Sequence, residues 1–173
     1  MRQVLMALVL VAGCGAGADQ GNESGGVGKD SGKGRSGRGG DAIQITELTG
    51  LYEGGAPLRP NQMCMIEKGG ETNFALVVWG TGMHSCSGSG SAVRQGDTLR
   101  LSMAGDESCT IEAKINGATA TLPASLPQGC AYYCGAEAKL GGASFTKKSS
   151  KVEDAMKAKD LVGEPLCGGL SAQ

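Results

Sequence analysis

The chain reads as an all-β domain: a small antiparallel meander of about eight or nine strands, closed as a barrel, with a short C-terminal helix and disulfide staples. Three observations carry this expectation. Short runs of alternating apolar and polar residues succeed one another beyond residue 41, separated by turn chemistry. Six cysteines, Cys64, Cys86, Cys109, Cys130, Cys134 and Cys167, are spread through the same region. Aromatics are scarce, with two Phe, one Trp and three Tyr, so small and aliphatic side chains must build the core and crosslinks must compensate for limited apolar burial.

Strands are expected near residues 47–53, 62–67, 72–79, 86–94, 97–103, 107–115, 118–122, 135–140 and 143–147. Lys68-Gly69-Gly70-Glu71 separates the second from the third as a tight turn, and Gln95-Gly96-Asp97 the fourth from the fifth. In the fifth, Leu99, Leu101 and Met103 alternate with Thr98, Arg100 and Ser102. In the sixth, Cys109, Ile111, Ala113 and Ile115 alternate with Thr110, Glu112 and Lys114. Asn116-Gly117 then tolerates the positive φ of a two-residue hairpin, and Ala118, Ala120 and Leu122 continue the alternation. Ala136, Ala138 and Leu140 suggest one further strand before Gly141-Gly142, with a return through Phe145. Successive hairpins favour a meander, and closure removes its exposed edges.

The tail has a different period. Ser150-x-x-Glu153 has the form of a capping box, and Val152, Met156 and Leu161 form one apolar stripe. Gly163 and Pro165 stop the pattern, which predicts a helix near 150–162. Leu166-Cys167 is then placed to staple the tail back onto the β domain.

The first 13 residues have another character. Arg2 gives a positive start, and the apolar run from Val4 to Val11 is too short to span a bilayer, so it reads as a secretory signal. The segment closes on Val11-Ala12-Gly13-Cys14, which resembles the lipobox of bacterial lipoproteins. The resemblance covers only the start of the chain. It implies that residues 1–13 are removed, that Cys14 is acylated and becomes the N-terminus, and that Cys14 anchors the protein to membrane. Gly15 rather than an aspartate follows, which in that family favours the outer membrane of a diderm cell, with the domain in the periplasm or at the surface.

Residues 15–41 hold 11 glycines in 27 positions, with four basic and four acidic side chains and no apolar periodicity. Such a segment cannot bury enough surface to order itself and acts as a tether with an end-to-end reach of about 30 Å. The folded domain is expected to occupy 42–173. Lys33 does not make a phosphate loop, because the glycine spacing is wrong and no Ser or Thr follows it.

Six cysteines in an exported chain read as three disulfides, whose pairing the sequence leaves open. A metal site would need tighter cysteine pairs or a histidine partner, so no metal or other cofactor is expected. From residue 42 onward 11 Lys and Arg face 13 Asp and Glu, a net charge of −2, which argues against a nucleic-acid partner. His84 is the one histidine. No serine near it lies in a G-x-S-x-G elbow, and the carboxylates are dispersed singly, so the chain is not expected to be an enzyme. His84 is expected in an exposed Gly80–Ser85 turn.

Two places could carry recognition. The strand Ser85–Val93 sets Cys86, Gly88, Gly90 and Ala92 on one face and Ser87, Ser89 and Ser91 on the other. Glycines weaken a strand unless something approaches closely, and Trp79 or Phe74 is expected to fill the space over Gly88 and Gly90. Alternatively the small-residue face lines a cavity, or the serines form a docking face. Ser87-Gly88-Ser89-Gly90-Ser91-Ala92 resembles the first motif of lysozyme-inhibitor lipoproteins, small β-barrels that present a Ser-Gly strand to the enzyme's cleft. The aromatic that should follow is missing, and Thr146-Lys147-Lys148 is only a partial echo of the second motif. In outline the predicted domain is also similar to lipocalins, with Gly50-Leu51-Tyr52 opening the first strand but no tryptophan beside it. The second place is Tyr132-Tyr133, between Cys130 and Cys134: either a recognition point or a cap on one barrel end. These features suggest a non-enzymatic binding or inhibitory module for an envelope protein or a hydrolase. A carrier of a small apolar ligand and a structural envelope lipoprotein are the alternatives.

Overall fold

A computed structural model of the protein describes residues 47–170. The Val11–Cys14 motif and the 15–41 tether lie outside the described residues. Eight antiparallel strands close into a barrel in sequence order: β1 Gly50–Ala56, β2 Arg59–Lys68, β3 Glu71–Trp79, β4 Ser85–Gln95, β5 Thr98–Met103, β6 Thr110–Asn116, β7 Thr119–Thr121 and β8 Ser144–Ser149. The predicted meander is therefore the observed fold. β8 returns to pair with β1, so Tyr52 faces Lys147 across the closing seam. Gly69 and Gly70 have φ of +64° and +85°, the left-handed turn that joins β2 to β3.

Alternation along the strands fills the barrel axis. Tyr52, Met63, Phe74, Leu76, Leu99, Leu101, Ile111 and Phe145 are all fully buried inside it. Gly90 pairs with Phe74 on β3 and Met103 on β5, and the β5 backbone occupies the room its missing side chain leaves. A Cβ there would come within 1.9 Å of the Ser102 carbonyl oxygen. The expected filler Phe74 is not among the nearest atoms at either glycine: at Gly88 these are the Met103 methyl and the Tyr133 ring. Nor is Trp79, which is half-buried, with Arg59 stacked on its ring.

Two expected elements differ. Residues 135–140 are not a strand. Their backbone bonds go elsewhere: Gly135 N–H to Ser85, Ala138 N–H back to Gly135, and the Glu137 carbonyl to Thr81 N–H. Local turn bonds and contacts with the β3–β4 loop replace the ladder, and only Leu140 is buried. The C-terminal helix is one turn, α1 Val152–Ala155, rather than a helix over 150–162. Lys151 occupies the N-cap without a side-chain bond, and the acceptor Asp154 Oδ2 takes the Ser149 hydroxyl at 2.6 Å. Ser150 therefore caps nothing. The buried residues are Ala155 and Ala158, while Val152 and Leu161 are 43% and 46% exposed.

Three disulfides pair Cys64 with Cys167, Cys86 with Cys134, and Cys109 with Cys130. The first staples the tail back, as expected. It closes a second, smaller core on the outside of the barrel, where Ala155 and Ala158 pack against Cys64, Ile66 and Ala75.

Candidate functional site

The strand order gives the barrel two unlike ends. One end carries the start of β1 and the short hairpins after β2, β4 and β6. The other carries the β1–β2 turn, the β3–β4 loop, the β5–β6 loop and the long segment between β7 and β8. The chain enters at the first end. There the Tyr52 hydroxyl donates to the Leu48 carbonyl at 2.7 Å, and the Lys147 ammonium donates to the Glu47 carbonyl.

Lys147 is 2% exposed, with its ammonium 5.6 Å from the centroid of the Tyr52 ring. Burial pulls its pKa down, and the Glu47 charge opposes that. Burial pushes the Tyr52 hydroxyl well above the usual tyrosine range, with Arg94 opposing. Lys147, the lysine in the partial Thr146-Lys147-Lys148 echo, is thus turned into the barrel and cannot reach a partner.

The opposite end is where exposed large side chains gather. A 3₁₀ helix, Gln128–Tyr133, lies across it. Two disulfides hold this helix: Cys130 to Cys109 ahead of β6, and Cys134 to Cys86 in β4. Tyr133 faces inward. Its ring lies where a Gly88 side chain would be, beside the Met103 thioether methyl, and its hydroxyl accepts the Gly105 N–H at 3.2 Å. The ladder between β4 and β5 begins only at Gly90, so Tyr133 plugs the gap where the two strands part. Tyr132 does the reverse. It is 78% exposed and meets Tyr133 edge-on, with centroids 5.3 Å apart. Of the two tyrosines, Tyr133 caps the barrel end and Tyr132 stands in solvent.

The serine face is split as well. Ser87 and Ser89 are half-buried and share a groove of about 420 Å³ with Asp160, Leu161, Val162 and Leu166 of the tail. Ser91 is exposed and belongs to a separate hollow with Asn73, Ser102 and the Ala104–Glu107 loop. The three serines thus border two different hollows. His84 is exposed in the Gly80–Ser85 turn, where its backbone closes the loop onto Gly80 and Thr81.

A further cluster on the same end escaped the sequence reading. Leu58 is fully exposed at the tip of the β1–β2 turn, and Met83 is 84% exposed in the β3–β4 loop. Arg59 lies between them. Its guanidinium stacks 3.8 Å from the Trp79 ring centroid and donates to the Gly82 carbonyl at 2.8 Å. Leu58-Arg59 and Met83 stand in separate stretches of the sequence, with no shared periodicity that would announce this meeting. Beside the 3₁₀ helix, a hollow of about 470 Å³ is lined by small and apolar residues including Leu126, Pro127, Ala131 and Leu140, with Lys139 also in its lining.

Among the described residues no three His, Cys, Asp or Glu side chains come together as a metal would require. Among them, too, no helix is long and apolar enough to cross a membrane. No protein-family model, curated protein or solved structure matches this chain.

Proposed function

We propose that the protein is a lipid-anchored, non-enzymatic binding module of a bacterial envelope, and that it meets a protein partner with the disulfide-held end of its barrel. The observation that carries this reading is Tyr132: a tyrosine 78% exposed on a short helix that two disulfides pin to the barrel. Exposing an aromatic ring costs solvation, and fixing its base lowers the entropy lost on binding. Arg59, Trp79 and Met83 on the same end are of the residue types enriched at interfaces.

The anchor rests on the Val11-Ala12-Gly13-Cys14 motif. Acylation of Cys14 with loss of residues 1–13 would tie the tether to the outer membrane. Residue 47 lies at the opposite end of the barrel from Tyr132. Large side chains such as Tyr52, Met63, Phe74 and Phe145 fill the barrel axis, which favours a protein partner over a small ligand carried inside it.

The test is co-purification from gently solubilised native membranes, with intact mass measured alongside. A protein that co-elutes with the wild type and is lost from Tyr132→Ala supports the reading. Retention by Tyr132→Ala overturns the docking assignment. An intact mass with no acyl group on Cys14 overturns the anchor.

A further inference from the structure

We propose that Met83 is a redox modification site, oxidised reversibly by hydroperoxides, and that Arg59 and Trp79 report its oxidation state at the barrel end that carries Tyr132. Four other methionines lie in the described residues. Met63 and Met65 are fully buried on the barrel axis, Met103 is 3% exposed beneath Tyr133, and Met156 is half-buried against the tail core. Met83 is 84% exposed, so an oxidant reaches its sulfur directly.

Its surroundings make the sulfur more than a solvated thioether. Arg59 Nη2 donates to the Met83 sulfur at 3.8 Å while Nη1 donates to the Gly82 carbonyl at 2.8 Å. The same guanidinium covers the Trp79 ring at 3.8 Å from its centroid. One cation therefore touches the thioether, the loop backbone and the indole.

The step is a two-electron oxygen transfer. A sulfur lone pair attacks the distal oxygen of the hydroperoxide, the O–O bond breaks and an S–O bond forms. The hydroperoxide is reduced to an alcohol, or to water from hydrogen peroxide, and its distal proton passes to the departing oxygen. The thioether becomes a sulfoxide. Sulfoxide oxygen is a far better acceptor than thioether sulfur, so it holds the Arg59 N–H more tightly and draws the guanidinium off the indole face. An apolar side chain next to Leu58 becomes polar, which weakens any apolar contact made there. A thiol-dependent sulfoxide reductase restores the thioether.

The experiment exposes the anchored, disulfide-intact protein to limiting hydrogen peroxide and follows peptide masses together with the fluorescence of Trp79, the chain's one tryptophan. Met83 gains one oxygen before Met156, and at least about tenfold faster than Met63, Met65 and Met103. The Trp79 emission shifts in step with that oxygen. Met83→Leu abolishes the shift, and Arg59→Lys keeps the oxidation but loses the shift. Earlier oxidation of Met156, an unchanged emission with Met83 fully oxidised, or a full shift in Arg59→Lys would each overturn the proposal.

Discussion

The ring of Tyr133 occupies the space that any side chain at position 88 would need. A Cβ built on Gly88 falls 2.8 Å from Tyr133 Cδ1 and 2.3 Å from the Met103 methyl. This contact joins the serine-glycine strand to the disulfide-held helix and closes the barrel where β4 and β5 separate.

The two glycines of β4 should therefore respond unequally to alanine. At Gly88 the obstruction is side chain, the end of Met103 and the edge of Tyr133, which can shift. At Gly90 it is backbone, the Ser102 carbonyl and the Met103 Cα. Gly88→Ala should cost about 1–2 kcal/mol and Gly90→Ala more than about 3 kcal/mol, read from chemical denaturation. Equal costs would mean the strand is looser than described.

Tyr132 and Tyr133 should separate binding from stability. Tyr133→Ala leaves the seam unfilled and should cost about 2–3 kcal/mol, less than a fully buried aromatic because the ring is only half-buried. Tyr132→Ala should change stability by less than about 0.5 kcal/mol, since its ring is mostly in water. Thermal unfolding of the two variants measures the difference.

Lys147 should leave a signature in the alkaline limb of stability. Burial holds its folded pKa below the ordinary 10.5, so between the two values the unfolded chain binds more protons than the folded one. That contribution makes stability rise with pH across the window. Tyr52 acts in the opposite sense, because its raised folded pKa costs stability as pH climbs past 10. Lys147→Met keeps the Tyr52 effect and removes the lysine's. The stability of wild type minus that of Lys147→Met should therefore increase as pH approaches 10.5, measured by denaturation at stepped pH. A difference independent of pH would show that Lys147 is solvated in the folded state.

The Cys64–Cys167 bridge spans 103 residues and holds the tail core closed. Replacing both cysteines with serine should cost about 3–5 kcal/mol, and the tail beyond α1 should become the first site of limited proteolysis. The other two disulfides should survive, and non-reducing peptide maps would show Cys86 with Cys134 and Cys109 with Cys130.

The barrel was legible because strand period and turn chemistry are local. Leu99, Leu101 and Met103 need only alternation to face inward, and Gly69-Gly70 needs only its own φ preferences. What failed was non-local. Ala136, Ala138 and Leu140 alternate as a strand would, but the backbone bonds of this stretch run from Gly135 N–H to the Ser85 carbonyl, from Thr81 N–H to the Glu137 carbonyl, and from Ala138 N–H back to Gly135. The helix near 150–162 stops after one turn because Ala155 and Ala158, not the apolar stripe of Val152 and Leu161, are what the Cys64 face accepts. Tyr132-Tyr133 was visible as a pair, yet nothing in the sequence separates the plug from the exposed ring. Only the packing of Gly88 does that.

Under the proposed function the protein meets its partner with the end of the barrel that displays Tyr132. A photo-crosslinking amino acid at position 132 in living cells, compared with one at position 93, tests it most directly. Val93 is 52% exposed at the opposite end, so both probes reach solvent. A discrete crosslinked product from position 132 and none from position 93 is the predicted result. The same product from position 93, or no product from position 132, would contradict it.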